Sequence, residues 1–338
     1  MILPPKVIHP TGEPEFTLKK SVISALIADT FNGKIHIEWD PQAQVTTMGQ
    51  LAFFIQYLKM GHRFMPWVEE CPLRYTSPNA PKKINVLGSF VLSILAGYTR
   101  YAHITRIQGD CVNAPLLGMT KVEGEDSARN ALKAIEVNEG IAWLQKHLYQ
   151  SYSPLLELPW ILDADVTVKT LYGHQEGATV GYNHHKPGRP SHTYHTYMIA
   201  NVRLILEVEV QAGNRSSSAY TAPGLWTLLD RITVTVLIVK TTLMKSKPMG
   251  LVRVRHPEAC PLPLCARMIA LIYNWWSLFV RLVEAEKHYE AIVSRPLLLH
   301  GVGKQTQYAG QTTLTITSIH GRGSYVKAAY TQVCAFFD

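Results

Sequence analysis

Two acids, Asp163 and Asp165, stand at alternate positions in "WILDADVTVKTLYG" (residues 160–173), a run whose other residues favour a β-strand. Side chains alternate across a strand, so Asp163, Asp165 and Thr167 share one face, while Ala164, Val166 and Val168 share the other. Two carboxylates on one face are either solvated at a sheet edge, or set against something cationic that offsets the cost of taking charge out of water. A divalent metal ion is one such partner. Charges that keep an exposed edge from pairing are the alternative, and strand geometry alone favours it.

The elements around these acids follow from the period of the pattern. "TYHTYMIANV" and "RLILEVEVQAG" read as two further strands joined by short turns. A helix, "APGLWTLLDRI", is expected next, with Pro223 in its first turn. Between the first two strands lies "HQEGATVGYNHHKPGRPSH", which combines Lys186, Arg189 and four histidines, His192 among them, with three glycines and two prolines. Such a loop can bring cations and backbone N–H groups to phosphates, and Lys186, Arg189 and His192 are its candidate DNA contacts.

Length and composition bound the possibilities. A chain of 338 residues, 47% hydrophobic and 17% charged, can bury a sizeable core and is no disordered tail. Its net charge of +8 and isoelectric point of about 9.1 favour a polyanionic partner such as nucleic acid. The opening "MILPPKVIHPTGEPEF" has no apolar core of a signal peptide, and "INVLGSFVLSILAGY" (residues 84–98) is too short and polar to span a bilayer. The five dispersed cysteines contain no C-x-x-C pair and fit reduced thiols in the cytoplasm.

Three regions are expected: an N-terminal arm over 1–45, a helical region over 46–155, and a sheet-bearing region over 156–338. In the helical region Thr46 and Thr47 are candidate N-caps, and Leu132, Ile135, Trp143 and Leu144 recur near the helical period. The loop "CPLRYTSPNAPKK" carries Arg74, Lys82 and Lys83. Basic loops on helices fit DNA binding and scaffolding equally, and Lys82 and Lys83 are its candidate DNA contacts.

Taken together, "CPLRYTSPNAPKK", "VLSILAGYTRYAHIT", "LLGMTKV", "PWILDADVTVKTLYGHQEGATVGYN", "HKPGRPSHTYHTYM", "PGLWTLLDR", "ARMIALIYNWWSLFVRL" and "SRPLLLH" resemble a bacterial insertion-sequence transposase of the DDE class. The resemblance runs over residues 46–231 and again over 265–320. It implies an α+β chain, in which a helical N-terminal part precedes a ribonuclease-H-like mixed sheet and a C-terminal helix. It also implies DNA transposition: two aspartates and a glutamate holding Mg²⁺ or Mn²⁺, DNA ends and target as partners, and a homodimer on paired ends. By its Asp-x-Thr pattern Asp165 matches the first catalytic aspartate, with Asp163 as a supporting residue or alternative ligand.

The second aspartate and the glutamate are not found. The family places the aspartate on the strand after the "LLDR" helix and the glutamate in a Tyr-x-x-Arg-Glu-Lys helix. Here "LLDRI" runs into a stretch with no acid between Ile232 and Pro257, the next being Glu258. An internal deletion between about 232 and 264 accounts for this, leaves the sheet truncated, and implies impaired catalysis. The alternative is a catalytically inactive remnant that binds DNA or an intact transposase. Tyr273, Trp275 and Trp276, in an apolar helix, are expected to be core.

Overall fold

The computed structural model describes residues 26–38, 40, 42–156, 159–172, 177–181, 183, 186–215, 217–232, 262–284, 287, 289–317 and 323–337. The proline-rich opening and residues 233–261, which include the segment after the "LLDR" helix and Glu258, lie outside them. The chain divides into two units, Met1–Ala43 and Gln44–Asp338. In the first, β1 (Leu26–Thr30) and β2 (Gly33–Ile37) form an antiparallel hairpin. Gly33 closes its turn at φ +100°, where a side chain would be strained.

The second unit begins with β3 (Gln44–Thr46), α1 (Leu51–Met60), α2 (Phe64–Glu69) and α3 (Lys83–Leu95). A tight 3-10 segment (Tyr101–Ile107) leads to α4 (Asn113–Leu116), α5 (Glu125–Lys133) and α6 (Val137–Tyr152). Thr46 and Thr47 do not cap α1. Thr46 lies in β3, paired with a strand near residue 304, and its hydroxyl bonds Asp110 and Asn113. A side chain committed to tertiary bonds is not free to cap. Leu132, Ile135, Trp143 and Leu144 are buried as their spacing requires, although Glu136 interrupts the run by capping α6 through the Glu139 N–H.

The sheet follows: β4 (Leu162–Thr170), β5 (Thr179–Val180), β6 (Pro190–Ile199) and β7 (Leu204–Ala212), then α7 (Ser217–Arg231). β6 pairs antiparallel with β4 on one side and with β5 and β7 on the other. α7 starts earlier than its proline suggested, and Pro223 sits inside it. Next come α8 (Leu262–Val283), α9 (Ala291–Leu299), β8 (Gly303–Tyr308), β9 (Gln311–Ile316) and α10 (Gly323–Phe337). β3, β8 and β9 make a second antiparallel sheet. The architecture is α+β, and the helical region shares its core with the sheet.

That core is organised by α8. It is apolar on nearly every side, long and apolar enough to cross a membrane, yet 78% of its most apolar stretch is buried inside the fold. Trp275 meets Trp67 of α2 edge-on at 5.4 Å, and Trp67 stacks on Trp143 of α6 at 5.4 Å. Each such pair adds about 0.5–1.5 kcal/mol beyond burial. Trp276 packs on Phe54 of α1, so both tryptophans of α8 are core. Asn274 binds the edge of β7 from the same helix: its Oδ1 accepts from Ile205 N–H and its Nδ2 donates to Ile205 C=O, both at 2.8 Å. An amide here acts as one rung of a missing strand. Cys71, Cys111 and Cys334 are free thiols, but Cys265 is disulfide-bonded, so the cysteines are not all reduced as expected.

Candidate functional site

The register of β4 places the acids. Asp163 lies opposite Met198, Asp165 opposite Thr196, and Thr167 opposite Tyr194, so the two carboxylates and Thr167 share a sheet face. Both acids are half-buried. The Thr167 hydroxyl donates to Asp165 Oδ2 at 3.1 Å, which fixes one carboxylate oxygen. Burial pushes the Asp163 carboxyl above its usual range, and the negative charge of Asp165 pushes it further. Two carboxylates on one strand face, one of them already resisting ionisation, gain from a cation beside them. Their hard oxygen donors fit Mg²⁺ or Mn²⁺, which water can complete. Among the described residues no group of three or more His, Cys, Asp or Glu side chains gathers for a metal.

The basic loop residues sit elsewhere. Lys186 and Arg189 are exposed, in the turn that enters β6, and Arg189 lies over the Tyr172 ring at 5.6 Å. At about 3.3 Å per strand residue they stand on the order of 20 Å along the sheet from Asp165. His192 faces Lys169 on the acidic face but is only 4% exposed, with its proton affinity lowered by burial. A ring so enclosed has no access to a phosphate, so His192 is a packing residue rather than a DNA contact. Lys83 donates from Nζ to Cys71 C=O at 2.7 Å and ties α3 to the end of α2, whereas Lys82 is exposed.

The other acids do not complete the aspartate pair. Glu207 lies opposite Tyr197 and Glu209 opposite His195, which puts both on the face of the sheet away from Asp165. The Glu207 side chain is 3% exposed and receives Arg231 Nη2 at 2.8 Å and Gln145 Nε2 at 2.7 Å, with Arg267 Nε at 2.7 Å. Burial, then the charge of Glu207, raises the proton affinity of Glu209. α7 covers this face closely: a methyl on Gly224 would come within 2.5 Å of the Tyr197 hydroxyl and 2.6 Å of Glu209 Oε2. Asp230 is exposed at the end of α7, Glu284 accepts from the Tyr325 hydroxyl, and Glu290 pairs with Arg203.

Sequence reasoning missed the Glu207 network. One signal was available: Arg267 in an otherwise apolar helix needs a buried acid, because a guanidinium is rarely enclosed without one. It also missed a basic and aromatic cluster at residues 94–106. There Arg106 lies over the Tyr98 ring at 5.8 Å and His103 meets the same ring edge-on at 5.5 Å. No protein-family model, curated protein or solved structure matches this chain.

Proposed function

We propose that this chain is a DDE-type transposase of an insertion sequence, acting on DNA in the cytoplasm, with Asp165 as a metal ligand and Asp163 beside it. The observation that carries the reading is topological. Three antiparallel strands, β4, β6 and β7, lead directly into α7, and the first strand presents Asp165 at its centre. That order is the opening of a ribonuclease-H-like domain, and the half-buried, mutually repelling carboxylates suit a hard cation. Bound there, Mg²⁺ would lower the proton affinity of an attacking water or DNA 3′-hydroxyl and stabilise charge on the scissile phosphate. Asp165 and Asp163 supply oxygen donors. Thr167 holds Asp165 in one orientation, and the exposed Lys186, Arg189 and Lys82 offer positive charge to DNA away from the acids.

A second reading rests on the separation of the acids: Glu207 and Glu209 are on the wrong face and engaged with α6, α7 and α8. On it the chain binds DNA, or a second copy on paired ends, without cutting. Nicking of supercoiled plasmid with Mg²⁺ or Mn²⁺ separates the two. Nicking that disappears in Asp165→Asn supports the transposase, and a folded chain that binds plasmid without nicking it leaves only the binding role.

A further inference from the structure

A cleft opens where α3, the 3-10 segment and α8 meet. Its walls are apolar and aromatic, from Phe90, Ile94, Tyr98, Tyr101 and Met268, and it is open to solvent. Arg100 and Thr99 stand at that mouth. Arg100 and Arg106 are exposed, and neither has a carboxylate within ion-pair distance among the described residues. Arg106 is held over Tyr98, and His103 braces the other contact of that ring. Arg295 of α9 is half-buried and donates to the Ala291 and Ile94 carbonyls, and among the described residues no carboxylate pairs with it.

Cations without acids around an apolar, aromatic-walled slot match one ligand chemistry. A phosphodiester chain supplies the negative charge, and an unpaired base supplies a flat apolar face for the slot. A protein partner with acidic side chains would satisfy the arginines but gives no reason for the aromatic slot. We infer that Arg100 and Arg106 bind the backbone of single-stranded DNA and that the cleft between α3 and α8 takes up one unstacked base. This rests on the DNA-binding side of the proposed function, and it assigns the contact to the Tyr98–Arg106 segment rather than to the loop before β6.

The test uses the full chain and a labelled duplex ending in a single-stranded tail that carries a fluorescent adenine analogue. Arg100→Ala with Arg106→Ala is expected to weaken binding about tenfold, and to flatten the slope of log affinity against log salt by about 1.4, two lost contacts at about 0.7 each. Arg100→Lys with Arg106→Lys should keep the slope, because charge rather than shape sets it. Thr99→Trp, which plugs the mouth from a half-exposed position, should abolish the change in analogue fluorescence while leaving the slope alone. Unchanged affinity in the double alanine variant, or an undiminished signal in Thr99→Trp, overturns the inference. Binding that responds to these variants in a chain that never nicks plasmid upholds it while removing the strand-cleavage reading.

Discussion

The Glu207 carboxylate lies 2.7 Å from the Arg267 guanidinium, with the two side chains 3% and 6% exposed. The contact spans β7 and α8, and Arg231 and Gln145 bring α7 and α6 to the same carboxylate. Four elements therefore share one buried charge. Removing it strands two guanidinium groups, one of them wholly inside the protein. Glu207→Gln is expected to cost about 3–5 kcal/mol, the range for breaking a buried pair from one side. Arg267→Met added to it should recover part of the loss, since an apolar side chain suits the surroundings of α8. Urea unfolding of the wild type, the single and the double variant measures both. A single variant within about 1 kcal/mol of wild type would show that the charge is not held as described.

Asn274 makes a second prediction of the same kind without charge. Its amide satisfies both backbone groups of Ile205 and donates to Ser151 Oγ at 2.9 Å, and the residue is fully buried. Asn274→Leu leaves a donor and an acceptor of β7 in an apolar setting, at about 1–3 kcal/mol for each group. Faster amide exchange at Ile205 than at the centre of α8 would locate the damage at the strand edge. Uniform loss of protection over the whole unit would argue against a local seal.

How much of this was open to inspection in the sequence depends on the range of the interaction. The face shared by Asp163, Asp165 and Thr167 follows from alternation along a few residues, so it was legible, as was the buried character of Trp275 and Trp276. Thr46 misled because its hydroxyl bonds Asp110 and its strand pairs with residues near 304, partners that no local pattern reveals. The face occupied by Glu207 was legible, but its burial was not. That depends on α6, α7 and α8 converging on β7, and an acid on an exposed face has the same local sequence as an acid in a buried network. His192 failed for a related reason: the loop before it is exposed, but the histidine itself already belongs to β6.

Gly224 marks how closely α7 rides on the sheet. Gly224→Ala would set its methyl against the Tyr197 hydroxyl and Glu209, displacing α7 or breaking the bond from Tyr197 to Thr221 C=O, 3.2 Å long. Overpacking of this kind costs about 1–3 kcal/mol. The usual gain in helix propensity from replacing glycine by alanine is smaller, about 1 kcal/mol at most. A melting temperature below that of the wild type is expected, and a higher one would mean that the helix yields freely.

His195 gives the same interface a pH dependence. Burial lowers its proton affinity, and the ring is enclosed by Thr193, Thr221 and Tyr220, with Glu209 its cross-strand neighbour. A histidine that binds its proton less readily when folded contributes stability that is present above the unfolded value of 6.5. That contribution is lost as pH falls from there through the lower folded value. Glu209 works in the other direction, because its raised folded value favours the protonated form and its cost grows as pH climbs above 4.5. Unfolding midpoints should therefore drop between about pH 7 and pH 5 in the wild type, and drop less in His195→Gln. Equal slopes in the two proteins would show that the histidine does not stay neutral in the interface.

The acidic pair on β4 allows the proposed metal role to be separated from simple crowding of charge. Asp163 binds its proton more readily in the fold than in the unfolded chain, through burial and then Asp165. Its ionised form therefore costs stability at neutral pH, and the cost vanishes below the unfolded value of 3.8, where both states are protonated. Asp163→Asn should raise the melting temperature at pH 7 and have no such effect near pH 3. A divalent cation relieves the same repulsion by a different route. If the pair holds Mn²⁺, adding it should stabilise the wild type more than Asp163→Asn, and should leave the double variant with Asp165→Asn unchanged. Stabilisation of equal size in all three would place the ion elsewhere on the protein, and would return the two acids to the role of charges on a strand.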